Sequence, residues 1–554
     1  MNSPNPALVT QRAAQRLPRV ALLLFCAAYV LPGLFGRDPW KNADLSAFGH
    51  MAAIASGRAG WLSPALAGLP ADGALVPYWL GAAFIRLFGP WIDPALAARI
   101  PFALLLVMVL VMTWYATYHL ARTEAAQPLA FAFGGEANSI DYARAIADGA
   151  VLAVMATLGL LQLGHETTPE LVQLAGASLF LYALAAGPYR KGRSRAAALI
   201  ALPVMASSGA PAIAVALAVV GTAICARSTY AQVRTTSWWV VGAGLIAVAL
   251  GTALGAWGWR VADVASLHPL STLRLLAWFT WPAWPLALWT LWRWHSHLLH
   301  RHISVPLGCA LTTGLACLAM GGSDRALMLA LPALAVLAAF ALPTLQRSTA
   351  AAIDWFSVFF FSICVLAIWV IYASLHTGFP AKPAANIARL APEFRPAFSL
   401  LALLVALGGT LAWMWLVRWR TGRHRHPLWK SLVLPAGGVA VCWLLLMTLW
   451  LPLLDHARSY RALLERIAPH VPREACIAAP QSPRALLAAL EAMGGYRVDA
   501  ITPAELSPCE VLLISQTPHD ATAELPGWRP VARIARPTDR QDITIIYQRK
   551  PASR

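Results

Sequence analysis

Hydrophobic segments of membrane-spanning length alternate with short polar turns from residue 19 to residue 453. Roughly 20 apolar residues are needed for a helix to cross the hydrocarbon core of a bilayer, and segments of that length predict about 13 transmembrane helices here. The first covers 19–36 and the last covers 431–453. The pattern therefore predicts an all-α polytopic membrane protein with a short tail, 1–18, before the first span.

The composition agrees with this prediction. The chain is 58% hydrophobic and 12% charged, whereas soluble domains carry about 25% charged residues. The net charge of +18 does not indicate a nucleic-acid partner, because many basic residues fall in short turns such as 190–195 and 418–430. Lysine and arginine in such turns mark the cytoplasmic side of a membrane protein. We therefore predict a cytoplasmic N-terminus and membrane lipids, but no nucleic acid, as partners.

A long segment, 37–97, follows the first span on the opposite, outer side. Its pattern predicts two helices, 44–57 and 75–89, which can lie flat on the membrane. Two acids, Asp38 and Asp44, lie just after the first span. A simple membrane anchor does not need such a loop, so the loop favours an enzyme that works at the membrane surface.

The tail from 454 to 554 is polar enough to be soluble. Five short segments in it have the composition of strands, and 482–495 has the pattern of a helix that ends at two glycines. We expect a small α/β domain on the outer side of the membrane. Cys476 and Cys509 lie in it. In an oxidising compartment they can form a disulfide, and two unpaired thiols are the alternative.

Several short motifs resemble the C-type-fold membrane glycosyltransferases. The resemblance is to the family 39 group of protein O-mannosyltransferases and bacterial aminoarabinose (lipid A) transferase. The matching pieces are RDPWKNAD (37–44), ASG…W..P (55–64), VPYWLGAAFIRLFG (76–89), AARIPFALLLV (97–107), TTPELVQL (167–174) and GGSDRALMLALPALAVLAAFALP (321–343). They extend over most of the chain in topology.

The resemblance implies a fold, a reaction and a location. The fold is the glycosyltransferase C-type fold, with 37–97 as a periplasmic catalytic loop in the domain 19–453. The reaction transfers a sugar from an undecaprenyl-phosphate-type donor to an envelope acceptor such as lipid A, a glycan or another lipid. The location is the bacterial inner membrane, with the domain 454–554 in the periplasm. We expect a monomer.

The resemblance also implies site residues. Asp44 is the first candidate for the catalytic carboxylate, which acts as a base or orients the nucleophile, and Asp38 is the second. Both can instead cap a turn or a helix. Glu170 matches an acid of the second outer turn, and it can equally be an acid favoured by a helix dipole. The candidates for binding the donor phosphate or substrate are Arg325, Lys41, Arg58, Tyr78, Glu170 and His165.

One stretch departs from the family pattern. Relatives carry a lysine before a pair of prolines, whereas residues 73–79 read GALVPYW, with a single proline and no lysine. Another cation must then contact the phosphate. Some C-type enzymes use a divalent ion such as Mg²⁺ or Mn²⁺, and Asp38, Asp44 and Glu170 could supply oxygen ligands. The residues leave metal dependence open.

Two other functions remain open from the residues. A transporter or flippase of lipid-linked glycans would place charged sites near the middle of the bilayer. A non-catalytic envelope scaffold would present its C-terminal domain. The acids here cluster at the outer ends of spans instead, which favours chemistry at the membrane surface.

Overall fold

The computed structural model describes residues 7–40, 42–129, 134–258, 268–422, 427–517, 525–539 and 542–550. The chain is mostly helical within these ranges. The α-helices are α1 Arg19–Val30, α2 Ala43–Ala55, α3 Val76–Phe88, α4 Pro94–Ala121, α5 Ser139–Ala156, α6 Leu160–Leu163, α7 Pro169–Ala186, α8 Lys191–Ala206, α9 Pro211–Ala226, α10 Ala231–Ala253, α11 Pro269–Phe279, α12 Ala283–Arg293, α13 Arg301–Ala319, α14 Asp324–Met328, α15 Leu331–Ala341, α16 Arg347–Thr377, α17 Ala381–Leu390, α18 Leu400–Thr421, α19 Lys430–Leu449, α20 Leu451–Arg458, α21 Arg461–Ile467 and α22 Arg484–Ala488.

The helices form a bundle that is consistent with a polytopic membrane protein. Seven of the described helices are long and apolar enough to cross a membrane: α4, α7, α10, α13, α16, α18 and α19. Shorter apolar helices include α1, α3 and α9, and a fourth covers Leu331–Thr344. The predicted fold class is confirmed.

The first span is shorter than its hydrophobic pattern predicts. Helix α1 ends at Val30, although the apolar run continues to residue 36. Pro32 cannot continue the backbone hydrogen-bond pattern of a helix, and Gly33 has a φ of 84°. A Cβ at Gly33 would lie 2.9 Å from the ring of Trp443. The chain therefore turns sharply against α19 and delivers Arg37 back toward the bundle.

The helix bundle has two ends, which we name after the residues that lie there. We call the end with residues 31–93, 164–168, 207–210 and 320–325 the loop face. The turn 207–210 belongs to it because the Leu75 amide donates to the Ser207 carbonyl over 2.8 Å. Helix α4 leads away from this end, and its 28 residues span about 42 Å at 1.5 Å per residue. We call the far end, with 122–127, 186–191, 227–230 and 294–301, the basic face.

The long segment after α1 is folded rather than extended. It contains α2, α3 and a hairpin of β1 (Ala65–Leu66) with β2 (Leu69–Pro70). The two predicted helices are thus present, but most of α2 is buried. Gly49 explains how α2 approaches α22, because a Cβ there would lie 2.6 Å from the Cβ of Ala488. Helix α2 is therefore a buried connector between the bundle and the C-terminal residues.

The five predicted C-terminal strands form one sheet. They are β3 (Cys476–Ala478), β4 (Arg497–Asp499), β5 (Val511–Gln516), β6 (Trp528–Ala535) and β7 (Ile543–Arg549), in the order β4-β3-β5-β7-β6. Strand β3 runs parallel to β4 and β5, and β7 is antiparallel to β5 and β6. Cys476 and Cys509 are joined by a disulfide, which ties β3 to the residues just before β5.

Candidate active site

Asp44 links the start of α2 to the turn before α7. Its Oδ1 accepts hydrogen bonds from the backbone amide and the hydroxyl of Thr167, each 2.7 Å long. Its Oδ2 accepts from Arg37 Nη1 and from the Trp40 amide, each over 3.0 Å. The residue is only 1% exposed. Both carboxylate oxygens are thus fully engaged, and the side chain does not act as the cap of α2.

Arg37, the ion-pair partner of Asp44, also makes hydrogen bonds to two backbone carbonyls. Its Nε donates to the Gly33 carbonyl over 2.8 Å, and its Nη2 donates to the His165 carbonyl over 2.6 Å. Arg99 in turn donates from Nη2 to the Arg37 carbonyl over 2.6 Å. Burial alone would raise the pKa of Asp44, but the charges of Arg37 and Arg99 and the bonds from Thr167 outweigh it and lower that pKa.

A second pair of charged residues lies on the same turn. Arg325, at the start of α14, donates from Nη2 to Glu166 Oε2 over 2.5 Å. Its Nη1 donates to the Thr168 hydroxyl over 3.3 Å and lies 3.7 Å from Glu170 Oε2. Burial raises the pKa of Glu166, while the Arg325 charge acts against this effect. The guanidinium of Arg325 therefore lies between two carboxylates of one turn.

Glu170 and Arg325 also line a large cavity at the loop face. Its volume is about 640 Å³, and its walls come from the start of α7, the 209–216 segment, 256–258 and the facing ends of α13 and α14. Most of the wall is apolar, and Gln173 adds an amide. Glu170 Oε2 accepts no hydrogen bond from any described residue. The cavity thus combines a carboxylate, a guanidinium and a hydrophobic wall.

The residues after α19 return to the first loop. Asp38 accepts hydrogen bonds from Arg461 Nη2 over 2.5 Å and from the Ser459 hydroxyl over 2.7 Å. Asp455 Oδ1 accepts from the Asp38 amide over 2.9 Å and from the Trp40 indole over 3.1 Å. We call these contacts the 38–461 clamp. It fastens the two ends of the transmembrane region to each other.

Arg458 is a further cation of this region that the sequence analysis did not predict. Its guanidinium lies 4.9 Å from the centre of the Trp40 ring, which Arg37 approaches to 4.7 Å. Glu166 is close enough to Arg458 to influence its charge. Arg458 makes no hydrogen bond or ion pair to any described residue. Its cation–π contact with Trp40 leaves its donors available to a ligand.

The predicted site residues fall into separate groups. Asp44, Glu170 and Arg325 come together around the 165–170 turn, and Asp38 lies beside them in the 38–461 clamp. His165 is adjacent but does not line the large cavity. Arg58 and Tyr78 lie elsewhere, and Lys41 is outside the described residues. Arg58 donates to the Glu491 carbonyl, and the Tyr78 ring packs against His50 with ring centres 4.8 Å apart.

The His165 ring lies between two backbone carbonyl oxygens. One ring nitrogen lies 2.7 Å from the Leu161 carbonyl oxygen and the other lies 2.9 Å from that of Tyr29. Burial lowers the pKa of His165 to about 4 despite these bonds. A neutral imidazole has a single N–H, so it donates to only one of the two carbonyls. The residue holds the turn and offers its own carbonyl to Arg37.

Some site residues that were not predicted have features in the sequence that could have identified them. Arg99 lies inside the start of an apolar span, where an arginine is costly unless it has a partner. Arg37 opens the RDPWKNAD motif, and Glu166 and Thr167 lie beside the predicted Glu170. Arg458 had no such signal, because its neighbours Trp40 and Glu166 are distant in sequence.

The three carboxylates proposed as metal ligands do not converge. Asp38 is paired with Arg461, Asp44 with Arg37, and Glu170 lies beside Arg325. Across the described ranges, no group of three or more histidine, cysteine or acidic side chains is arranged to hold a metal ion. A shared divalent ion at these carboxylates therefore does not fit the geometry, because each one already faces a guanidinium.

Comparison with solved structures identifies the fold. A crystal structure of ArnT from Cupriavidus metallidurans bound to undecaprenyl phosphate aligns with a TM-score of 0.61 and 13% sequence identity, over 95% of this chain and 97% of that chain. The chain has the C-type glycosyltransferase fold. The apo state of the same enzyme aligns with a TM-score of 0.59 and 14% identity over the same shares. No protein-family model and no curated protein sequence matches the chain.

Proposed function

We propose that the protein is an inner-membrane glycosyltransferase. It transfers a sugar from a polyprenyl-phosphate donor to an envelope acceptor such as lipid A, a glycan or another lipid. One observation carries the proposal: within an ArnT-like fold, Glu170 and Arg325 face each other at the wall of a largely apolar cavity. An apolar wall suits the polyprenyl chain, and the two charged groups suit the reacting end of the donor.

The proposed orientation places the loop face in the periplasm and the N-terminus in the cytoplasm. Arginines are frequent at the basic face, as the positive-inside rule expects of a cytoplasmic end. The Cys476–Cys509 disulfide belongs to the residues that pack on the loop face, and disulfides persist in oxidising compartments such as the periplasm. We propose that 454–554 acts as a periplasmic domain that completes the site.

Glu170 is the proposed general base. The acceptor hydroxyl oxygen attacks the anomeric carbon, and its proton moves to the Glu170 carboxylate. The bond between the anomeric carbon and the phosphate oxygen breaks, and its electron pair leaves with the polyprenyl phosphate. Glu170 suits this role because it lines the cavity and because its Oε2 accepts no hydrogen bond from the described residues.

Arg325 and Arg458 are the proposed phosphate contacts. Arg325 makes an ion pair with Glu166, and the Glu166 charge also influences Arg458. In this proposal the two guanidiniums stabilise the negative charge that develops on the leaving phosphate. In this proposal Arg458 replaces the lysine that the family carries before its proline pair.

Asp44 is proposed as a positioning residue. The sequence-based expectation that it is the catalytic base stays a prediction. Its four hydrogen bonds and near-complete burial favour a role in holding Arg37 and Thr167, and through Thr167 the neighbouring Glu166 and Glu170. Asp38 is proposed to fix the 38–461 clamp, which places Arg458.

The test compares the masses of envelope lipids and glycans from cells that express the wild type, Glu170→Gln or Arg325→Gln, at matched levels of folded protein. Arg389→Gln is the matched control, because Arg389 is exposed and, among the described residues, its side chain bonds to Asn386 alone. We expect one new sugar-sized mass increment with the wild type and the control. Glu170→Gln should reduce it at least a hundredfold, the usual effect of losing a general base. Arg325→Gln should reduce it by a similar factor, because it removes a charge that stabilises the leaving phosphate.

An unchanged mass profile in all four strains, with the natural acceptor present, would overturn the enzyme proposal. The protein would then be a flippase if a lipid-linked glycan crossed the membrane in cells that express the wild type and not in cells that lack it. If the mass increment persisted in Glu170→Gln but disappeared in Asp44→Asn, with both proteins folded, Asp44 would be the general base.

A further inference from the structure

A second large cavity opens at the basic face, and its deeper end shares Val220 with the first cavity. Its volume is about 840 Å³, and it lies between the end of α9 and the start of α13. Its mouth is polar and its deeper wall is apolar. The mouth carries Arg227, Ser228, His300 and Arg301, and the deeper wall carries Val220, Ile224, Leu307 and Leu311.

Arg301 is a buried charge at the mouth of this cavity. It is only 8% exposed. Its Nη1 donates to the Ser228 hydroxyl over 3.3 Å and its Nη2 donates to the Leu184 carbonyl over 2.5 Å. Its Nε has no acceptor among the described residues. These partners are neutral, and a buried cation without an anion is costly.

No acidic side chain compensates Arg301 in the part of the chain that the structure describes. The titratable groups that influence it are Cys225, Tyr189 and Tyr230, which are ordinarily uncharged at neutral pH. Glu124 lines the cavity but is exposed at its rim. Among the described residues, the walls of the cavity therefore provide no buried negative charge to balance Arg301.

The shape of the cavity fits an amphiphile. Arg301 is the first residue of α13, and Leu311 lies about 15 Å further along the helix axis, at 1.5 Å per residue. This distance is half of the ~30 Å hydrocarbon core, and therefore the depth of one leaflet. Leu307 and Ser304 lie on the same face between them, and the facing wall of α9 is apolar.

We propose that this cavity binds a membrane lipid with a phosphate headgroup. The phosphate contacts Arg301, with Arg227 at the rim, and a hydrocarbon chain follows the apolar wall toward Leu311. The free amides at the start of α13 add a favourable dipole for an anion. Basic pockets between helices at the cytoplasmic side are a known type of lipid headgroup site.

The charge of the cavity favours a headgroup with a single negative charge. Two arginines and one glutamate leave a surplus of one positive charge when His300 is neutral. A phosphodiester such as that of phosphatidylglycerol matches this surplus, whereas the zwitterionic headgroup of phosphatidylcholine does not. The site lies at the opposite end of the bundle from Arg325, so the inference does not depend on the proposed reaction.

The test is native mass spectrometry of the delipidated full-length protein. The probes are phosphatidylglycerol, phosphatidylcholine and inorganic phosphate. Ala223→Phe fills the cavity from an exposed position without removing charge, and Arg227→Gln removes a rim charge. Arg193→Gln is the control, because Arg193 is exposed near the same face but does not line the cavity. Arg301→Gln is added where thermal unfolding shows that it folds.

We expect phosphatidylglycerol to bind about fivefold more tightly than phosphatidylcholine, as one charge contact predicts. Arg227→Gln should weaken phosphatidylglycerol binding by about the same factor, and Arg193→Gln should not. Ala223→Phe should weaken the binding of both lipids, because its ring occupies the cavity that they share. Equal binding of the two lipids, or binding that neither cavity variant weakens, would overturn the inference. Displacement of the lipid by an equal concentration of inorganic phosphate would identify a phosphate site instead of a lipid site.

Discussion

The Asp44 carboxylate and Thr167 join two parts of the chain that lie 123 residues apart, through paired 2.7 Å hydrogen bonds to one oxygen. The other oxygen carries the Arg37 ion pair. Because the same carboxylate serves both contacts, a change at Asp44 disturbs the first loop and the 165–170 turn together. The geometry of the proposed base and phosphate contacts therefore depends on a residue that does not face the cavity.

Asp44→Asn should destabilise the protein by about 3 to 5 kcal/mol at pH 7, because it leaves the buried Arg37 without its counter-charge. Thr167→Ser keeps the hydroxyl and serves as the mild control. The measurement is thermal unfolding in detergent. Since the pKa of Asp44 is lowered in the folded state, its contribution is present above pH ~4 and is lost as the pH falls through that lowered pKa. The wild type and the variant should therefore converge in strong acid, and a constant difference down to pH 2 would contradict this account.

Asp38→Asn should have a much smaller effect on stability than Asp44→Asn. Its partner Arg461 has a side chain that is 64% exposed, and exposed ion pairs contribute about 0 to 1 kcal/mol. The proposed reaction requires Asp38 only to fix the clamp, so activity should fall by less than tenfold. A loss as large as that of Glu170→Gln, in a protein that unfolds at the wild-type temperature, would give Asp38 a direct role.

Gly49→Ala should loosen the contact between α2 and α22. The added methyl would lie 2.6 Å from the Ala488 Cβ and 3.2 Å from its Cα, and overpacking of this kind costs about 1 to 3 kcal/mol. Ala488→Gly removes the nearer atom, so the double variant should recover part of the loss. Thermal unfolding of both single variants and the double variant gives the coupling energy. Additive losses in the double variant would show that the two residues do not meet.

The stability of the protein should fall as the pH drops from about 6.5 to 4. Burial lowers the pKa of His50 to about 4, with a contribution from the Arg484 charge, although Asp72 acts in the opposite direction. The unfolded chain takes up this proton near pH 6.5, so the folded state loses about 1 kcal/mol per pH unit for each such histidine. His50→Phe should reduce this slope, whereas the exposed His268→Phe should leave it unchanged. The measurement is thermal unfolding of the three proteins across this pH range.

Periodicity and composition were sufficient for the architecture. The predicted spans coincide with helices because apolar length is itself the physical requirement for crossing a bilayer. The five C-terminal strands were predicted from the composition of their segments. The first span was predicted to reach residue 36 because the apolar run continues past Pro32. The backbone turns at Pro32 although the hydrophobicity does not change there, so α1 ends at Val30.

The candidate site was only partly accessible to sequence reasoning. Asp44, Glu170 and Arg325 were selected because they match charged residues of the family motifs, and the fold brings them together around the 165–170 turn. The partners of Asp44 and the position of Arg458 depend on contacts between distant segments. Arg58 and Tyr78 were chosen from local motifs, but their surroundings are set by the packing of the C-terminal residues.

The 38–461 clamp has a consequence for how the chain is made. A ribosome produces residues 455–461 only after all the membrane helices, so the Asp38 amide and the Trp40 indole cannot bond to Asp455 until the last span has been made. Arg458 is added at the same stage. A nascent chain that ends before residue 455 would therefore hold a finished set of spans and an unfinished first loop.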